Sequence, residues 1–152
     1  MKNFVSKSES DTLGLARKLA PFLQSGDVVV LSGDLGSGKT KFTQGILEHF
    51  GLEDEISSPT FTIVNEHHQN GVNIYHFDVY RLNGSDEFYA IGGDEYLEHG
   101  ISVIEWGEQI EDVLPSEYLK ISFEKDAQDE NTRVLSFIPF GDRFENILYK
   151  LL

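Results

Sequence analysis

At 152 residues the chain is long enough for one domain with a true core, and its 39% apolar and 12% aromatic content separates it from disordered chains. It has no cysteine, which excludes a disulfide framework and thiolate metal sites. A formal net charge of −14, from 12 Lys and Arg against 26 Asp and Glu, argues against tight unaided binding to nucleic acid, because that affinity comes mainly from cationic contacts and counterion release. The acidity serves solubility or docking, and any action on RNA requires a basic partner. With no arginine-rich presequence and no long apolar span, a soluble cytoplasmic protein without membrane contact is expected.

Residues 3 to 7 read as a short first strand. Ser8 and Asp11 then stand at capping-box spacing, and Leu13, Ala16, Leu19, Ala20 and Leu23 recur at helical intervals, predicting a helix to about Leu23 that packs on a sheet. Ser25-Gly26-Asp27 ends it. The run Val28 to Ser32 is a buried strand, and Gly33-Asp34-Leu35-Gly36-Ser37-Gly38-Lys39-Thr40 follows it directly. This is G-x-x-x-x-G-K-[ST] between a strand and a helix, the context in which the motif cradles phosphates. The glycines let successive N–H groups converge on an anion, Lys39 carries charge to the β/γ-phosphates, and Thr40 offers a hydroxyl to Mg²⁺. The bland reading is a Gly-rich turn, and the flanking elements disfavour it. Phe42, Ile46, Leu47 and Phe50 form the apolar stripe of the next helix, with Gly51 as its C-cap.

Beyond a polar loop ending at Ser58-Pro59, residues 60 to 80 read as a β-hairpin: strands Thr60 to Val64 and Asn73 to Tyr80, with a turn signal at Gln69-Asn70-Gly71. That predicts a mixed sheet, with antiparallel pairs grafted beside the strand of the phosphate loop. His67 and His68 would face opposite sides of a strand, so they read as surface histidines rather than a metal pair. Residues 83 to 99 predict one or two short helices broken at Gly92-Gly93, whose acids form a solvated face or a docking surface. Ile101 to Glu105 is a buried strand and Glu108 to Val113 a helical turn. A second hairpin comprises Tyr118 to Phe123 and Arg133 to Ile138, and an amphipathic helix runs from Asp142 to Leu152.

A phosphate loop needs a further carboxylate on the magnesium side, at the end of a neighbouring strand. Asp78 and Glu105 both qualify, and Glu105 ends the more apolar strand. As capping or surface acids they would carry no chemistry. Thr60 and Thr62 occupy the place of a γ-phosphate-sensing switch segment, although a loop entering a strand is the simpler reading. Trp106 reads as a packing or stacking residue beside Glu105.

Four blocks together resemble one family: Gly33 to Thr40, Ser58-Pro59-Thr60-Phe61-Thr62, Tyr75-His76-Phe77-Asp78-Val79-Tyr80-Arg81 and Ile104-Glu105-Trp106. They look like the TsaE (YjeE) family, small bacterial ATPases of tRNA threonylcarbamoyladenosine synthesis. The resemblance runs from the first helix to at least Arg133. It implies an α/β fold: a single P-loop NTPase domain over residues 1–152, with a central mixed sheet flanked by helices. It also implies weak ATP hydrolysis alone and action with TsaD and TsaB on the adenosine following the anticodon, the tRNA being met through the complex.

By the same resemblance the nucleotide set is Thr12, Asp34, Leu35, Gly36, Ser37, Gly38, Lys39, Thr40 and Lys41. Thr40 and Glu105 hold Mg²⁺, and Asp78 is a catalytic or magnesium-orienting carboxylate. Thr60 stands in a switch-like loop, and Lys39, Asp78, Glu105 and Thr60 form the catalytic set. Ser37 and Lys41 depart from the family's frequent Ala and Thr. The alternatives are a small-molecule or nucleotide kinase, which four scattered arginines disfavour, and a module in which ATP only gates assembly.

Overall fold

The computed structural model describes residues 1–34, 36–52, 64–80 and 82–152. In chain order the strands are β1 Lys2–Ser6, β2 Val28–Ser32, β3 Val64–Gln69, β4 Val72–Asp78, β5 Ile101–Glu105, β6 Tyr118–Lys125 and β7 Arg133–Phe140. The helices are α1 Glu9–Leu19, α2 Lys39–His49, α3 Ser85–Ala90, α4 Gly93–His99 and α5 Asp142–Leu151, with 3₁₀ segments at Ala20–Phe22 and Gly107–Val113.

All seven strands among the described residues join one mixed sheet in the order β1-β7-β6-β2-β5-β4-β3. The phosphate-loop strand β2 lies at its centre, parallel to both β5 and β6. The β6–β7 hairpin lies beside β2 through β6, with β1 antiparallel on its outer edge, whereas the β3–β4 hairpin is set off from β2 by β5. Hydropathy explains the arrangement. Val28, Val29, Val30 and Leu31 are apolar without alternation and are buried on both faces, the pattern of a central parallel strand. Val29 and Leu31 meet α1, α2 and α5 through Leu19, Phe42, Ile46 and Phe144, whereas Val28 and Val30 meet Phe88 of α3 and Ile110 on the other side.

Local chemistry fixes the element ends. Ser8 Oγ accepts from the Asp11 N–H at 3.1 Å and caps α1, while Asp11 reaches past Ser8 to the Lys7 N–H at 3.0 Å, one residue earlier than the usual capping-box contact. The α-helix stops at Leu19 rather than near Leu23, because Pro21 has no N–H and its ring clashes with the carbonyl four residues back; a 3₁₀ turn finishes the segment. In the β3–β4 hairpin Asn70 and Gly71 both take positive φ, 55° and 80°, the geometry of a type I′ turn. Val64 opens β3; residues 60–63, expected in this strand, lie outside the described residues, and β4 ends at Asp78 rather than Tyr80.

One reading is corrected. His67 is not a surface residue: it is 2% exposed. It pairs with Ile74 on the sheet face that α2 covers. Gln69, on the same face, has its Nε2 3.7 Å from the Cβ position of Gly51, just past the end of α2.

Candidate nucleotide-binding site

The loop after β2 turns through three glycines with positive φ: Gly33 at 146°, Gly36 at 77° and Gly38 at 110°. At Gly33 glycine is also required by space, since a Cβ would stand 2.7 Å from the Phe123 carbonyl oxygen. The Ser37 N–H closes the turn on the Asp34 carbonyl at 3.1 Å. α2 then begins at Lys39. Its first internal bond runs from the Phe42 N–H to the Gly38 carbonyl at 3.0 Å, so the preceding N–H groups have no acceptor within the helix. Asp34, Gly36 and Thr40 are exposed at this rim, while Ser37 and Lys39 are buried. Leu35 and Thr60 lie outside the described residues.

Strand register supplies the acidic side. Glu105 lies between Leu31 of β2 and Asp78 of β4, so both carboxylates reach the same level at the ends of adjacent parallel strands. Lys39 Nζ donates to the Gly33 carbonyl at 2.6 Å, stands 3.5 Å from Glu105 Oε1 and lies 5.1 Å from the centre of the Trp106 ring. Glu105 Oε2 is 2.7 Å from His76 Nε2. Burial pushes the Glu105 carboxyl up, but the His76 hydrogen bond and the charges of His76 and Lys39 outweigh it and hold it below the ordinary glutamate value. Asp78 is half-buried, and its Oδ1 accepts from the Tyr80 N–H at 3.1 Å, the capping contact weighed above. Trp106 takes φ 67°, strained for a bulky residue. The chain must pass Val30 so closely at Gly107 that a Cβ there would sit 2.8 Å from a Val30 methyl, and the turn at Trp106 permits that passage.

The remaining predicted residues are placed around this centre. Thr12 is buried beside the loop, its methyl 4.0 Å from the Cβ position of Gly38. Its hydroxyl is already engaged: Ser6 Oγ donates to the Ser8 carbonyl, so Thr12 donates to Ser6 Oγ at 2.7 Å. Lys41 turns away towards Glu9, with Nζ 3.6 Å from its carboxylate.

Sequence reasoning missed Lys125 and did not place Arg133. The two pair at the loop end of the β6–β7 hairpin. Lys125 Nζ stands 3.4 Å from the Cβ position of Gly36, and Arg133 donates to the Gly36 carbonyl at 3.4 Å. The signal was a basic residue at each end of the acidic loop between the strands, but only the register brings both to the phosphate loop. Arg17 is paired with Glu48, and Arg143 forms a fork on Asp27 at 2.9 and 2.6 Å.

These donors fit a nucleoside triphosphate with a divalent ion. Gly33, Gly36 and Gly38 give the loop the positive-φ turns that a phosphate-binding loop needs, the helix start offers N–H groups to an anion, and Glu105 brings an oxygen-donor acid to the same place. Among the described residues no three acidic, histidine or cysteine side chains cluster as a self-contained metal site. Mg²⁺ ordinarily binds through one or two protein groups together with phosphate oxygens.

The central parallel strand, the glycine turn and the helix that begins on Lys39 define a P-loop fold of the nucleotide-binding class. A family model described as threonylcarbamoyl adenosine biosynthesis protein TsaE matches residues 6–134. The chain is 40% identical over 142 residues to the TsaE of Bacillus subtilis, covering 93% of this chain and 87% of that one. Against the TsaE of Treponema pallidum it is 41% identical over 119 residues, covering 78% and 87%. The crystal structure of Bacillus subtilis YdiB superposes with a TM-score of 0.78 at 34% identity, over 99% of this chain and 93% of that one. The chain belongs to the TsaE family.

Proposed function

We propose that this protein is a Mg²⁺-dependent ATPase of tRNA threonylcarbamoyladenosine biosynthesis, acting with TsaD and TsaB on the adenosine that follows the anticodon. Family membership supports the pathway. The observation that carries the chemistry is the convergence of Lys39, from the start of α2, and Glu105, from the end of β5.

On ATP binding Lys39 exchanges the Gly33 carbonyl for phosphate oxygens, and the loop's N–H groups with the start of α2 neutralise further charge. Thr40 and Glu105 would hold the metal, which would supply charge neutralisation of the phosphates. Asp78, level with Glu105, orients the attacking water or the metal's shell, and Thr60 senses the γ-phosphate. Thr12 and the backbone from Asp34 through Leu35, Gly36, Ser37 and Gly38 to Lys41 line the nucleotide.

Turnover by the isolated protein is weak. Lys39 is held by three groups at once, and Arg17 and Arg143 are committed elsewhere. Assembly with partners supplies the activation. A charge of −14 keeps the protein from gripping tRNA directly, so the RNA is met through the complex. No described helix is long and apolar enough to cross a membrane, and we place the work in the cytoplasm.

The test is tRNA modification reconstituted with TsaD and TsaB. Repeated rounds require hydrolysable ATP and fail with a non-hydrolysable analogue. Repeated rounds with the analogue would instead establish an ATP-gated assembly module, and a phosphorylated small-molecule acceptor would establish a kinase.

A further inference from the structure

His76 belongs to neither the nucleotide set nor the catalytic set. It is 2% exposed, and among the described residues its side chain makes a polar contact with Glu105. The contact joins residues 29 apart in sequence, on neighbouring strands. His76 pairs in register with Val103, two residues before Glu105, so the imidazole and the carboxylate leave the same sheet face as diagonal neighbours. An ionised carboxylate only accepts, so His76 Nε2 carries the proton and donates.

The two carboxylate oxygens are thereby distinguished. Oε2 is held at 2.7 Å by an imidazole on a stiff strand, while Oε1 faces Lys39 at 3.5 Å, too far for a close hydrogen bond, and keeps its lone pairs towards the phosphate loop. A glutamate has three side-chain torsions, and Glu105 ends its strand, where the backbone alone does not fix them. Lys39 cannot hold the carboxylate during turnover, because the phosphates claim the ammonium. His76 is the anchor that remains.

We propose that His76 is a positioning residue that fixes Glu105 so that Oε1 is presented to the magnesium of bound nucleotide. The inference rests on reading Glu105 as a magnesium carboxylate, and outer partners of this kind typically set metal affinity by about 10–100-fold.

The experiment uses the full chain loaded with ADP and titrated with Mn²⁺, bound metal being read by electron paramagnetic resonance. Affinity for a fluorescent ADP in EDTA is measured in parallel. His76→Phe keeps a ring and removes the donor; it is expected to weaken Mn²⁺ binding by about tenfold while changing metal-free ADP affinity by less than about twofold. His76→Gln, whose amide nitrogen reaches the same place, is expected to restore most of the metal affinity. If His76→Phe does not fold, His76→Asn, polar but too short to reach, carries the same expectation. In a Glu105→Gln background the loss of His76 should change Mn²⁺ affinity no further.

Parental Mn²⁺ affinity in His76→Phe or His76→Asn, alongside a weakened Glu105→Gln, would overturn the inference alone. An equal loss of metal-free ADP affinity would reduce His76 to a structural residue. Unchanged affinity in Glu105→Gln would overturn the assignment of Glu105 itself.

Discussion

Lys39 illustrates how one side chain is shared between competing partners. A buried ammonium needs compensation, and here a backbone carbonyl, a carboxylate and an indole face provide it. Glu105 has the mirror-image problem: its charged form is favoured although burial opposes it. The consequence for stability has a definite sign. A carboxyl whose folded value is depressed contributes most above its ordinary value, 4.5, and loses that contribution as pH falls through the lower folded value. In urea titrations of the metal-free protein, the parent should lose ground to Glu105→Gln as pH falls below about 4.5. A difference that stays flat as pH falls well below 4.5 would contradict the pairing. At this scale the sequence was informative where chemistry is local: the spacing of Gly33, Gly38, Lys39 and Thr40 is visible in one short stretch. It was silent where partners come from afar, as with His76 on Glu105, Lys125 on Gly36 and the burial of His67.

Among elements, the close approach of α1 and α2 sets where the P-loop helix sits. At Gly45 an added Cβ would stand 2.6 Å from the Ala16 Cβ and 2.7 Å from the Leu13 carbonyl oxygen. Alanine would gain about 1 kcal/mol in helix propensity, but overpacking against backbone costs about 1–3 kcal/mol. Gly45→Ala is therefore expected to lower stability by about 1 kcal/mol in denaturant unfolding, and a stabilised variant would refute the contact. At the opposite end of β2, Arg143 of α5 forks onto buried Asp27 and donates to the Phe22 carbonyl at 2.9 Å. Arg143→Ala strands that carboxylate, with an expected loss of about 3 kcal/mol in urea unfolding; a change under about 0.5 kcal/mol would contradict it. Element types were readable because α2 and α5 carry a clear helical periodicity and β2 is a short continuous apolar run leading straight into the glycine loop. The neighbours of β2 were not, since pairing depends on which apolar faces meet across the sheet: the β6–β7 hairpin lies beside β2, but β5 separates β2 from the β3–β4 hairpin.

For the whole molecule, charge and fold point the same way. A −14 chain repels phosphate backbones, yet three cations, Lys39, Lys125 and Arg133, reach the glycines of the P-loop. Isolated protein is accordingly expected to show no tRNA binding up to about 100 μM at physiological salt, in filter binding or mobility shift. Micromolar affinity would contradict partner-mediated contact. The central claim, a magnesium-dependent ATPase site that partners activate, is tested most directly by ATP turnover of the parent and Lys39→Ala, each with and without TsaD and TsaB. The account predicts weak turnover alone, stimulation by the partners, and loss of both in Lys39→Ala. Turnover unchanged by the substitution would contradict it.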